Sequence, residues 1–323
     1  KNIMKISDEL GFHPSLKPLR PLFENGELSI INNVGYPNPV RSHFRSMEIW
    51  QTASDSNQYY QTGWLGRYLD KYGDKPYNAI EIDEQLSLAM KGEHLNGIAT
   101  NDYRVLYRTA KDPYFKNVLH HYSDTHLNEH NLGYLYKTMI EAKSSANYIY
   151  QNTKVKLSQE TYPQNTLGKQ LRTVANFINS GLDTKVFYTS LNGFDTHANQ
   201  VNKQARLLEQ YASSIAAFVK DLKRNGTFKD TLILTFSEFG RRVKQNAANG
   251  TDHGTANNVF IIGKHLKRAG FYNSLVSLAD LDPNGDLKYN IDFRSIYATI
   301  LTKWMGASTK GILQSDHKPL VFL

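Results

Sequence analysis

Asp195 and His197 in Asn192-Gly-Phe-Asp-Thr-His197, Glu238 in Thr235-Phe-Ser-Glu-Phe-Gly240, and Asp252 with His253 in Gly250-Thr-Asp-His-Gly-Thr-Ala-Asn257 are the side chains best suited to chemistry. Carboxylates and imidazoles together are the ligand set of a hard or borderline divalent cation such as zinc, calcium, magnesium or manganese. Each group stands at the border of an apolar run that reads as a buried strand: 185–191, 231–236 and 258–262. In an open α/β sheet, ligands gather beyond the carboxyl ends of the strands. The three segments are therefore expected to meet at one rim. Taken singly, each has a plainer reading: Asp195 as a helix cap, Glu238 as the ion-pair partner of Arg241 or Arg242, and Asp252-His253 as a loop hydrogen-bond anchor. Their joint placement favours a metal.

A fourth segment, Asn38-Pro-Val-Arg-Ser-His-Phe-Arg45, breaks a strand and opens a helix. Free backbone N–H groups and the helix dipole there can cradle an anion. Ser42 is either the helix N-cap or a metal-activated nucleophile, and His43 stands beside it. Arg41 and Arg45 add positive charge for a developing oxyanion. His120, His121, His126 and His130 form a further histidine-rich stretch. His126 and His130 share a helix face, but Leu127 stands where a zinc-protease motif needs Glu, and a solvated face is the simpler reading.

The elements that must position these groups follow from periodicity. Short helices are expected at 14–23, 41–53 and 63–69, strands at 28–34 and 78–83, and irregular chain from Leu86 to Val105. A polar helical stretch follows over 113–151, then an amphipathic helix over 167–178. From Lys185 onward, strands alternate with helices at about 200–224 and 292–305. Val201, Ala205, Leu208, Ala212, Ile215, Val219 and Leu222 form the buried stripe expected of the first. Continuous apolar strands alternating with helices predict an α/β fold with a mostly parallel sheet covered on both faces. One domain is expected, with a helical and irregular insertion at about 86–165.

Composition sets the limits. A chain of 323 residues, 40% hydrophobic and 21% charged, can bury a large core. The net charge of +8 suits an anionic substrate, but the basic clusters are too short and too free of aromatics for a nucleic-acid surface. There is no cysteine, which excludes thiolate ligands, Cys nucleophiles and disulfides. No apolar run approaches the roughly 18 residues of a membrane span.

Several stretches resemble a bacterial exported family of unknown function that is related to the sulfatases, within the alkaline phosphatase superfamily. They are Gly35-Tyr-Pro-Asn-Pro-Val-Arg-Ser-His-Phe-Arg-Ser-Met-Glu-Ile-Trp50, Gly63-Trp-Leu-Gly-Arg67, Gly193-Phe-Asp-Thr-His197, Phe236-Ser-Glu-Phe-Gly-Arg-Arg242, Gly250-Thr-Asp-His-Gly-Thr-Ala-Asn257 and Asp292-Phe-Arg-Ser-Ile-Tyr-Ala-Thr299. The resemblance implies a three-layer α/β/α sandwich with a mostly parallel sheet, and a divalent metal held by Asp195, His197 and His253 with Asp252 nearby. It implies that Glu238 serves a second metal and that Ser42 lies in the nucleophile's segment. Relatives carry twin-arginine signals, which implies a periplasmic or secreted protein. The family's opening strand, with its Gly-Gly-Asn-Asp-Gly type motif, is expected upstream of Lys1. Asp195 and His197 are two residues apart where the superfamily has four, and Phe239 replaces a common His. The expected function is metal-dependent hydrolysis of a phosphate or sulfate ester, the substrate being a small anionic molecule or a glycan ester. The alternative is a catalytically inactive protein that uses the same crevice to bind an anionic glycan or a protein partner.

Overall fold

A computed structural model describes residues 3–6, 10–113, 117, 130–153, 157–275 and 277–323. Ten strands occur among these in chain order: β1 (Met4–Lys5), β2 (Gly11–Phe12), β3 (Leu28–Gly35), β4 (Ala79–Glu81), β5 (Ile98–Ala99), β6 (Val186–Tyr188), β7 (Ile233–Thr235), β8 (Asn257–Ile262), β9 (Gly270–Phe271) and β10 (Ile291–Asp292). The larger sheet runs β10-β3-β8-β7, with β9 also paired to β3; a smaller one runs β5-β4-β6. At the centre lies β3, buried at all of its residues.

Side chains alternate across these strands, as a pleated backbone requires. Ile31, Val34, Val259, Ile261 and Leu234 point to a cluster containing Trp50, Trp64, Phe293 and Tyr297. Leu28, Ile30, Phe260, Ile262 and Ile233 point to the other, which contains Leu171, Phe177, Ile215 and Phe218. Helices thus cover both faces of a mixed α/β core. The smaller sheet follows the same rule, with Ala79 on the first side and Ile80 on the second.

The expectation of a mostly parallel sheet holds for the β5-β4-β6 sheet and for the pairs β10–β3 and β9–β3. It fails at β8, which is antiparallel to both β3 and β7. Apolar residues at every position signal burial on two faces and carry no information about strand direction, so an antiparallel strand inside a covered sheet reads like a parallel one. The reversal has a functional consequence. Val34 pairs with Asn257, and Thr235 with Phe260, so the start of β8 lies beside the ends of β3 and β7. Residues after β3, after β7 and before β8 share one rim.

The Gln200–Arg224 helix has the bounds expected of it, and the expected stripe is buried at Ala212, Ile215, Val219 and Leu222 but not in the first turns. Val201 is 75% exposed, and burial begins at Leu207 and continues through Tyr211, Phe218 and Leu222. The stretch 86–105 contains β5 and the start of a helix, Tyr103–Lys111. Ile98, Tyr103 and, beyond them, Ile149 belong to the second core cluster, so this region is packed on the sheet. Of the histidine-rich stretch, His120, His121 and His126 lie outside the described residues, and His130 opens the helix His130–Thr153.

Candidate metal centre

The His43–Thr52 helix supplies the first histidine and fixes its neighbours by helical spacing. His43, Ser46 and Trp50 fall at i, i+3 and i+7, on one face. Ser46 Oγ and Trp50 Nε1 both donate to the Glu238 carbonyl, at 2.8 Å and 3.0 Å. His43 Nδ1 lies 2.6 Å from Glu238 Oε1. One helix face therefore holds both the backbone and the side chain of Glu238. Arg45 points elsewhere: it pairs with Glu48 at 2.9 Å, bonds the carbonyls of the 55–58 loop and lies over the Tyr59 ring.

Around Asp195, three imidazoles converge. Its Oδ1 lies 3.4 Å from His43 Nε2, 3.0 Å from His253 Nε2 and 2.9 Å from His197 Nε2. One ligand atom each from His43, Asp195 and His253 lie within 4.8 Å of one another. His197 flanks this trio, with its Nε2 2.9 Å from His253 Nε2. Each remote ring nitrogen has an acceptor. His43 Nδ1 faces Glu238; His197 Nδ1 faces Asp252 Oδ1 at 3.1 Å; His253 Nδ1 faces the Arg41 carbonyl at 2.7 Å. A carbonyl can only accept, so His253 carries a proton on Nδ1. Without metal its Nε2 donates a second proton to Asp195 Oδ1 at 3.0 Å, and a bound cation would displace that proton and take the lone pair. The carboxylates select the same tautomer at His43 and His197.

This arrangement fits a divalent cation. Three imidazole lone pairs and a carboxylate oxygen face inward, each ring fixed through its far nitrogen, as in carboxylate–histidine–metal sites. Two such nitrogens 2.9 Å apart repel unless a cation or a shared proton lies between them. His43 Nε2 is buried with no hydrogen-bond partner, although a buried polar atom normally has one. Spacings of 2.9–3.4 Å around Asp195 Oδ1 are close to the roughly 3.3 Å ligand–ligand edge of a tetrahedral site with bonds near 2.0 Å.

The electrostatics favour the ionised carboxylates. Desolvation works against ionisation of Asp195, but hydrogen bonds from His253 and Arg241, helped by the His197 and His43 rings, outweigh it and hold the carboxyl well below its usual range. Hydrogen bonds from Asn246 and His197 likewise lower the Asp252 carboxyl. Phe239 is buried against the site, 4.9 Å from the His43 ring and 4.6 Å from the His253 ring.

Two glycines allow the loops to close. A Cβ on Gly250 would lie 2.2 Å from the His197 carbonyl carbon, and one on Gly240 would lie 2.0 Å from the Ala256 oxygen. Asn246 then bridges the loops, donating to the His197 carbonyl at 2.9 Å and to Asp252 Oδ1 at 3.1 Å.

Set against the sequence, Asp195, His197, Glu238, Asp252 and His253 do come together. Glu238 and Asp252 stand behind the histidines as their acceptors, and His43 takes an inner position that spacing alone did not give it. The expected Glu238–arginine pair does not form. Arg241 Nη1 reaches Asp195 at 3.0 Å, and Arg242 Nε reaches Asp286 at 3.1 Å. Arg41 also pairs with Asp286, so both guanidiniums expected near an oxyanion, Arg41 and Arg45, are engaged by other groups. Ser42 is the N-cap residue by position but makes no side-chain capping bond, and it is exposed.

These residues all lie within the stretch that one family model matches. The chain belongs to the DUF1501 family. That family, described as "protein of unknown function", matches residues 2–311. Nothing matches among curated proteins or solved structures. Among the described residues, no helix is long and apolar enough to cross a membrane.

Proposed function

We propose that this DUF1501 chain is a metal-dependent hydrolase of phosphate or sulfate esters, acting on a small anionic molecule or a glycan ester. The observation that carries the reading is the trio His43, Asp195 and His253, with His197 beside it, each ring held through Nδ1. A divalent cation bound there would polarise an ester oxygen and make a bound hydroxyl nucleophilic. The protein's own part is clearer still. Glu238, Asp252 and the Arg41 carbonyl orient the rings, and Arg241 keeps Asp195 ionised. The start of the His43–Thr52 helix has no side-chain cap, and its N–H groups would be the protein's donors to the anion. Ser42, exposed at that helix start, is the protein nucleophile if the reaction is covalent. Asp195 and His197 are about half exposed, which leaves an approach for substrate.

Helices on both faces of the sheet support the three-layer α/β/α plan of the alkaline phosphatases and sulfatases, and the resemblance to exported relatives supports a periplasmic or secreted location. The alternative, a binding protein without turnover, draws on one observation: Arg241 already places a positive charge on Asp195. Metal analysis of the purified chain, with a screen of aryl phosphates and aryl sulfates, separates the two. Stoichiometric metal and turnover lost in His253→Ala support the enzyme. An anion ligand bound without metal or turnover supports the binder.

A further inference from the structure

A buried carboxylate outside the ligand cluster ties its loops together. Asp286 is fully buried, and its two oxygens take separate arginines: Oδ2 bonds Arg41 and Oδ1 lies 3.1 Å from Arg242 Nε. Each arginine contributes a backbone group to the site. The Arg41 carbonyl accepts from His253 Nδ1 at 2.7 Å, and the Arg242 N–H donates to the Asp252 carbonyl at 3.0 Å. The loop that carries Asp286 makes a third tie, for Thr255 Oγ1, two residues past His253, donates to the Leu287 carbonyl at 2.6 Å. The loop is itself pinned: Asp282 Oδ1 accepts from the backbone N–H groups of Asn284 and Asp286 at 2.8 Å and 2.9 Å.

We propose that Asp286 is a positioning residue of the metal centre, fixing through Arg41 and Arg242 the backbone groups that orient His253 and Asp252. The physical case is one of cost and placement. A carboxylate withdrawn from water is costly unless fully paired, and here its two partners come from the two segments that flank the ligand-bearing loop. Pairing it holds the Arg41 carbonyl at one point. That carbonyl decides which nitrogen of His253 faces Asp195. Loss of the pairing frees both segments while leaving every ligand in the chain. The inference rests on the metal reading given above.

Cobalt(II) tests it, because its d–d absorption reports geometry and its titration reports affinity without any substrate. The full chain is compared with Asp286→Asn, Arg41→Gln and the double variant, each melted without metal to show that it is folded. Removing an outer partner of a metal ligand typically costs about 10–100-fold in affinity. Asp286→Asn is expected to weaken cobalt by about tenfold or more and to alter the d–d spectrum. Arg41→Gln, which breaks one of the two links, should also weaken cobalt, by no more than Asp286→Asn, and the double variant should be little worse than Asp286→Asn alone. Folded Asp286→Asn that binds cobalt with wild-type affinity and spectrum overturns the proposal, as does full additivity of the two changes. Failure of the wild-type chain to bind cobalt instead overturns the metal reading itself. Should Asp286→Asn not fold, Arg41→Gln alone carries the comparison with the same two outcomes.

Discussion

Glu238 Oε1 holds His43 Nδ1 at 2.6 Å, and this one hydrogen bond turns the other ring nitrogen toward Asp195. The carboxylate is held in turn at its own backbone by Ser46 and Trp50. Replacing Glu238 by Gln keeps an acceptor but removes the charge, so the ring should stay in place while its basicity falls. The expected result is a loss of zinc or cobalt affinity of about 10–100-fold, with His43→Ala losing more. A competition titration against a chromophoric chelator reads both. Equal affinity in all three proteins would remove His43 from the centre.

Most of this cluster is visible in the sequence, but the mutual arrangement of its residues is not. Asp195, His197, Glu238, Asp252 and His253 are visible because each breaks an apolar run, a contrast that needs no structure. The inner role of His43 is hidden because it depends on β8 running antiparallel, which brings the residues before that strand to the ends of β3 and β7. Helical spacing does offer a hint: His43, Ser46 and Trp50 share a face, and a polar pair beside a tryptophan on a core face needs a polar partner. Asp286 gives no such signal. In sequence it is one Asp in a loop rich in Asp and Asn, and only tertiary pairing with Arg41 and Arg242 sets it apart.

Gly250 lets the two ligand loops touch. An alanine there would place Cβ 2.2 Å from the His197 carbonyl carbon, and backbone cannot yield as a flexible side chain does. Overpacking of this kind costs about 1–3 kcal/mol, and the relief route is separation of the loops that carry His197 and Asp252. Gly250→Ala is expected to lower the melting temperature of the metal-free chain and to weaken cobalt further than that loss of stability explains. Thermal melts and titration together check this. A variant with wild-type values for both would show that the loops do not need to be so close.

Trp50 carries a structural role and a site role. Its ring stacks on Phe236 at 5.0 Å and on Phe293 at 4.3 Å, while Nε1 donates to the Glu238 carbonyl. Ser46→Ala removes the second donor to that carbonyl with almost no loss of packing. It should cost about 1–3 kcal/mol, since it removes both the bond to that carbonyl and the 2.7 Å bond between the Ser46 and Tyr36 hydroxyls. Trp50→Phe adds lost contact area and is expected to cost more, about 2–4 kcal/mol. Urea unfolding of the two single variants and the double should show coupling, since each leaves the other as sole donor. Strict additivity would mean that the carbonyl is satisfied by water instead.

Glu81 gives a test of the core that is independent of the site. It ends β4, is only 4% exposed, and its Oε2 accepts from the Ser87 N–H at 2.7 Å. Burial pushes its carboxyl up, and the hydrogen bond to Ser87 pulls it only part of the way back. The folded state therefore holds this proton more tightly than the unfolded chain. Where folding takes up a proton, stability falls as pH rises. The contribution is full below the unfolded carboxyl value and is lost as pH climbs through the raised folded value. Glu81→Gln keeps the amide oxygen for Ser87 and has no proton to lose. The stability of Glu81→Gln relative to wild type should therefore increase with pH across that window and level off above it. Urea unfolding at a series of pH values gives the difference directly, with all other titrating groups cancelling. Parallel curves would mean that water or an unrecognised partner reaches the Glu81 carboxylate in the folded protein, and that its burial imposes no penalty on the charge.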